Sequence, residues 1–248
     1  LRHLQRLLAV LGSSSALGDF LAAHPEGLAA LAPARAPDAP GLPDARTALR
    51  AAVTGALGRP AAEDDPGSEG GPGDAGGGAD GAGDGPDDPD SGPAAGTGTA
   101  DRDAVARATS ALRTAYRDRL LGIVADDLTS PDPYQHVETV GRRMSDLADA
   151  ALDAALLIAR RAVGPPARDT ALAVIAMGKT GARELNYISD VDVVYVVTPA
   201  EGRQVPEEEL LAAGTAIATE LAAVVSSTGA EPPLWPLDTG LRPEGKDG

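Results

Sequence analysis

The chain has 248 residues, 43% of them hydrophobic, which is enough for a real core in one or two domains. Its 21 basic and 37 acidic side chains leave a net charge of −16, and that balance argues against a nucleic-acid or membrane partner, because both need a basic footprint. There is no cysteine, so disulfides and thiolate metal sites are excluded, and His3, His24 and His136 lie too far apart in sequence to suggest a zinc cluster.

Residues 1–31 repeat leucines at three and four (Leu4, Leu7, Leu8, Leu11), which predicts a helix. A break at Gly12 to Ser15 lets a serine cap a second short helix containing Leu17, Phe20 and Leu21, and Pro25 ends it. Together these read as a plain helical hairpin. Residues 32–60 are rich in proline and alanine, with a modest helix from Asp44 to Leu57, and complete a helical N-terminal segment over 1–60. Residues 61–100 are a different material, with 10 acidic residues, no basic ones, 13 glycines and no aliphatic side chain larger than alanine. Such a tract cannot bury enough surface to offset its ordering entropy, so it is expected to be a disordered acidic insertion. It carries −10 of the −16 charge, and the remainder of the chain, at −6, is only mildly acidic.

Residues 101–164 return to helix. One runs from Asp101 to Leu128, with Val105, Ala108, Leu112, Ala115, Leu120, Leu121 and Val124 on one face and arginines on the other. A second, from Tyr134 to Ala162, carries Val137, Val140, Met144, Leu147, Ala151, Ala155 and Ile158. Two amphipathic helices of this length are expected to pack on each other. No stretch approaches 18 apolar residues and no signal peptide is visible, so a soluble, cytoplasmic protein is expected. The chain starts without Met and stops at Gly248 inside a motif, so a fragment of something longer is expected.

Residues 165–248 carry the chemistry. Two β-branched runs, Leu172 to Ala176 and Val191 to Val197, bracket a glycine-bearing loop, and Asp190 and Asp192 open the second run. Side chains alternate along a strand, so both carboxylates face one way while Val191 and Val193 face the other. An Asp-x-Asp pair can simply cap a surface strand. It also supplies hard oxygen ligands for a divalent ion such as magnesium shared with substrate phosphates, with Gly178 allowing close backbone approach and Lys179 supplying a charge to phosphate. A P-loop is excluded, because the position that needs its first glycine holds Ala173. A helix from Glu207 to Ser227 and a third strand from Leu234 to Leu241, holding Asp238, complete the segment.

The Gly-Lys pair, ten residues, then Asp-x-Asp resembles the nucleotidyltransferase superfamily pattern. The run MGKTGARELNYISDVDVVY is closer still to the bifunctional glutamine synthetase adenylyltransferase/adenylyl-removing enzyme family, and WPLDTGLRPEG at Trp235 to Gly245 matches a second ordered motif of that family. The wording LAVLGSSSALGDFLAAHPE, at residues 8–26, resembles a stretch upstream of its catalytic domain. The resemblance implies an α+β fold with a nucleotidyltransferase-like α/β core, truncated at the C-terminus. It assigns Asp190 and Asp192 to metal and nucleotide binding and Asp238 to the metal beside the nucleophile, in a two-magnesium scheme. Gly178 and Lys179 fall at the phosphate, Ser189 either orients the substrate nucleotide or shapes the turn, Asn186 shapes the turn, and Arg242 either neutralises phosphoryl charge or forms a surface ion pair. Thr180 is an unremarkable substitution, whereas Pro236 and Gly240 depart from the family pattern, so the third strand is expected to be kinked or weakened, and the placement of Asp238 with it.

Family members act on glutamine synthetase and respond to the PII signalling protein. One homologous half adds AMP to a tyrosine from ATP; the other removes it by phosphorolysis, releasing ADP. The ARELNY wording resembles the adenylyl-removing half. Adenylyl transfer from ATP, another nucleotidyl transfer, and a non-catalytic binding module are the alternatives.

Overall fold

A computed structural model describes residues 2–32, 44–58 and 95–240, and within them the chain is an α+β protein. Helices α1 (Arg2–Ser13) and α2 (Ser15–Ala23) and a 3-10 turn over Pro25–Leu31 come first, followed by α3 (Ala45–Gly58). Two long helices follow, α4 (Ala95–Leu128) and α5 (Pro133–Val163), and then β1 (Thr170–Ala176), the single turn α6 (Gly178–Gly181), β2 (Val191–Pro199), α7 (Glu207–Ser226) and β3 (Leu237–Asp238).

Local chemistry explains the boundaries. Ser14 caps α2 by accepting the Leu17 N–H, Asp44 caps α3 through the Thr47 N–H at 2.7 Å, and Asp132 caps α5 through Gln135, ahead of Pro133 at the first helical position. Gly164 ends α5 at φ 75°, a left-handed conformation that costs glycine little. The acidic insertion begins its helical exit earlier than expected: α4 starts at Ala95, so residues 95–100 are helical and not part of a structureless tract. The rest of that expected insertion lies outside the described residues.

The main core forms where α5 meets α3, α4, α7 and the sheet. Leu49, Leu112, Leu147, Ile158, Val191, Val193, Ile217 and Leu221 are all buried there. Most of the predicted α5 stripe is buried, but Val137 is two-thirds exposed at 67%. Helix α7 is long and apolar enough by composition to cross a bilayer, contrary to the expectation that no stretch comes near that. In the fold it packs on α5 and the sheet through Ile217, Leu221, Val224 and Val225.

A second cluster joins α1, α2 and the 3-10 turn to the far half of α4, around Val10, Phe20, Leu31, Leu121 and Val124. Here the leucine stripe of α1 is largely reversed. Leu4, Leu8 and Leu11 are exposed, and Arg6 is buried with Val10. The reason is a polar anchor: Arg6 Nε donates to the Leu31 carbonyl at 2.8 Å and its Nη1 to Asp126 at 2.6 Å, while Arg143 reaches the other oxygen of Asp126 at 2.8 Å. The arginine face predicted for α4 also fails at one position, because Arg113 is only 2% exposed.

The sheet has the order β1-β2-β3. β1 and β2 are antiparallel, with Ala176 opposite Val193, and β3 runs parallel to β2, with Leu237 opposite Val191 and Asp238 opposite Asp192. β3 is shorter than the strand expected from Leu234 onward, and Pro236 is part of the cause, since a proline has no N–H for the ladder. Its carbonyl still accepts the Val191 N–H at 3.0 Å.

Candidate active site

The three aspartates of the sequence reading meet at one end of the sheet. Val191 and Val193 are fully buried beneath β2, so alternation turns Asp190 and Asp192 to the opposite face. The parallel register then sets Asp238 beside Asp192, and one carboxylate oxygen from each of Asp190, Asp192 and Asp238 lies within 4.8 Å of the others. Asp190 and Asp238 are exposed and Asp192 is half-buried. Among the described residues none of the three stands in an ion pair. The Asp238 Oδ1 accepts the Gly240 N–H at 2.7 Å, an Asx turn that fixes its orientation.

Gly178 closes the site from the side of β1. The Met177 N–H bonds the Asp192 carbonyl at 2.8 Å, which extends the antiparallel ladder to the edge of the site. Gly178 then turns at φ 51°, and a methyl group on it would overlap Oδ2 of Asp192 and approach Cγ to 3.1 Å. Only glycine lets the backbone pass this close to the carboxylate. Thr180, read from sequence as unremarkable, is buried at 3% exposure within α6.

Lys179 and Ser189 are brought together as well. Lys179 Nζ donates to Ser189 Oγ at 3.2 Å, and Ser189 donates to the Asn186 side-chain oxygen at 2.8 Å. That oxygen also accepts the Ile188 N–H, so Asn186 shapes the turn while aligning the Ser189–Lys179 pair. Arg242 lies outside the described residues.

The loop carrying these groups is tied to the helices beneath it. Leu185 is buried and its N–H reaches the Ser145 hydroxyl, Arg183 bonds Asp146, and Tyr187 donates to Asp127 of α4 at 2.7 Å. Gly141 of α5 lets the loop backbone come close, since a methyl there would sit 3.3 Å from Glu184 Cα. Arg183 adopts φ 62°, a strained conformation for a residue that carries a Cβ, and ion pairs to Asp146 and Asp149 restrain it. Burial raises the Asp149 carboxyl above the usual range. Sequence periodicity offered no signal for these tethers, because each depends on two segments meeting in space.

Three carboxylate oxygens, none paired with a base among the described residues and one facing a glycine, make a donor set suited to a hard divalent cation. The neighbouring Lys179 and the exposed backbone of α6 suit an anion beside it.

Comparison with known proteins finds relatives that share one name. A protein from Bifidobacterium longum (strain DJO10A) named "Bifunctional glutamine synthetase adenylyltransferase/adenylyl-removing enzyme" is 48% identical over 147 residues, covering 58% of this chain and 14% of the relative. Proteins of the same name from Leifsonia xyli subsp. xyli and Streptomyces coelicolor are 45% and 43% identical, covering 57% and 55% of this chain and 15% and 14% of the relatives. The chain therefore spans about a seventh of the length of the relatives it matches. The family model described as "Glutamate-ammonia ligase adenylyltransferase" matches residues 94–248, a stretch that includes all of α5, the sheet and the three aspartates, and the chain belongs to that family.

Proposed function

We propose that the chain carries the nucleotidyl-transferring core of an enzyme that removes AMP from an adenylylated tyrosine of glutamine synthetase by phosphorolysis. The observation that carries this reading is the convergence of Asp190, Asp192 and Asp238 beside Gly178 and Lys179 in a chain of this family. An oxygen of hydrogenphosphate forms a bond to the adenylyl phosphorus, the bond from that phosphorus to the tyrosyl oxygen breaks, and the proton ends on the tyrosine, so the products are ADP and unmodified tyrosine. Asp190, Asp192 and Asp238 would hold Mg2+, which when bound would neutralise phosphoryl charge and favour the deprotonated nucleophile.

The remaining roles belong to the chain. Lys179, aligned by Ser189 and Asn186, binds a phosphate oxygen, and Gly178 lets the backbone beside it pass close to Asp192. The family resemblance makes Arg242 a candidate source of positive charge for the phosphoryl group. Glutamine synthetase is the protein substrate, PII the regulatory partner, and the setting is the cytoplasm. The names of the relatives support the choice of glutamine synthetase, and the ARELNY wording supports the removing direction.

The test is to incubate the full-length protein with adenylylated glutamine synthetase, Mg2+ and phosphate, and separately to supply unmodified glutamine synthetase with ATP. ADP formation that is lost in Asp190→Asn supports phosphorolysis at this site. If Asp190→Asn abolishes AMP transfer from ATP and leaves ADP formation intact, the direction is reversed and the proposal fails.

A further inference from the structure

The connection from α7 to β3 has an unusual backbone problem. It must deliver Asp238 to the carboxylate cluster, yet β3 is only Leu237–Asp238 and cannot hold a side chain in place by its own ladder. Three of the five residues just before it, Pro232, Pro233 and Pro236, have no N–H to donate. The carbonyls of this stretch, and those left free at the end of α7, must therefore find donors elsewhere.

Helix α4 provides them through Arg113 and Arg117. Arg113, 2% exposed, donates Nε and Nη2 to the Val224 carbonyl at 3.0 and 2.7 Å, Nη2 again to Ser227 at 2.7 Å, and Nη1 to the Glu231 carbonyl at 2.7 Å. Arg117 continues the row, donating Nη2 to the Pro232 and Pro233 carbonyls at 2.6 and 2.8 Å and Nη1 to the Arg113 carbonyl. Neither guanidinium pairs with a carboxylate among the described residues. Arg113 instead places its charge at the negative end of the α7 dipole, and only a planar guanidinium has enough fixed donors to reach the carbonyls of Ala223, Val224, Ser227 and Glu231 from one buried position. Beyond this row the chain is closed by Leu234 N–H to Val225 O at 2.8 Å, Ser226 Oγ to Trp235 O at 3.0 Å, and Val191 N–H to Pro236 O at 3.0 Å. The path from the two arginines to Asp238 is thus a continuous run of anchored backbone.

We infer that Arg113 and Arg117 are positioning residues for Asp238, setting the third carboxylate of the metal site from α4 through the backbone of the α7–β3 connection. The inference rests on the metal-binding reading of the aspartate cluster. A purely structural role predicts that replacing either arginine lowers stability and leaves the metal affinity of the folded protein alone. A positioning role predicts that metal affinity falls through Asp238.

The experiment titrates the chain with Mn2+, following free Mn2+ by electron paramagnetic resonance, with urea unfolding of each variant alongside. Arg117→Gln is the primary variant, because its acceptors are exposed and the fold should survive its loss; Arg113→Lys is the second. Each is expected to weaken Mn2+ binding about tenfold, the usual scale for a group that orients a metal ligand. In an Asp238→Asn background Arg117→Gln should weaken binding no further, because the ligand it orients is already gone. Unchanged Mn2+ affinity in a folded Arg117→Gln, or a loss that adds in full to that of Asp238→Asn, overturns the inference. Wild-type binding that is indifferent to Asp190→Asn overturns the metal reading itself and this inference with it.

Discussion

Replacing Gly178 by alanine probes the closest approach in the site. The residue sits at φ 51°, where a side chain costs about 1–2 kcal/mol. The new methyl would also overlap Asp192 Oδ2 and lie 3.1 Å from Cγ, and relieving such overpacking costs about 1–3 kcal/mol. If nothing relaxes, the two add to roughly 2–5 kcal/mol. The half-buried Asp192 side chain has a cheaper escape, which is to rotate away from β1. Stability then falls by only about 1–2 kcal/mol, but one of the three clustered oxygens leaves the site. Urea unfolding and Mn2+ titration on the same preparation separate the two routes. Either a large stability loss, or a smaller one joined to a Mn2+ affinity weakened more than about tenfold, is expected. A Gly178→Ala protein as stable as wild type that binds Mn2+ equally well would refute the close approach of the α6 backbone to Asp192.

Two further predictions concern the framework. Burial raises the hydroxyls of Tyr116 and Tyr195 to about 12, above the unfolded value of about 10, so the folded state holds those protons more tightly. Stability from both is complete below about pH 10 and is lost as pH rises from 10 toward 12. Urea midpoints measured from pH 9 to 11.5 should fall, and Tyr116→Phe with Tyr195→Phe should reduce the slope; an unaltered slope contradicts the assignment. Asp126→Asn removes the carboxylate shared by Arg6 and Arg143 and strands the buried Arg6 guanidinium, at a cost of about 3–5 kcal/mol by urea unfolding. A loss below about 1 kcal/mol would mean that Arg6 is solvated by another route.

The aspartate-bearing end of the fold was legible because its signals are local. A β-branched run defined β2 and alternation the face that Asp190 and Asp192 share, while a serine cap and prolines marked ends of α2 and α5. The convergence of Asp238 was legible only through resemblance, since it depends on a parallel register between Val191 and Leu237 that spacing does not encode. What stayed hidden were buried arginines. A leucine repeat made α1 look apolar on the face that is exposed, because nothing nearby in sequence reveals that Arg6 has Leu31 and Asp126 as partners. Arg113 looked like one more charge on a solvated face of α4 for the same reason, its acceptors being more than a hundred residues away. The single turn of α6 was read as loop, four residues being too short for any periodicity to register.

The central claim, that the three-aspartate cluster performs phosphorolysis, is tested most directly by ADP release from adenylylated glutamine synthetase, comparing the full-length wild type with Asp192→Asn in Mg2+ and phosphate. Loss of a metal ligand removes several kcal/mol of transition-state stabilisation, so the variant should fold normally and retain less than about a tenth of the wild-type rate. A folded Asp192→Asn enzyme that releases ADP faster than that would contradict the account.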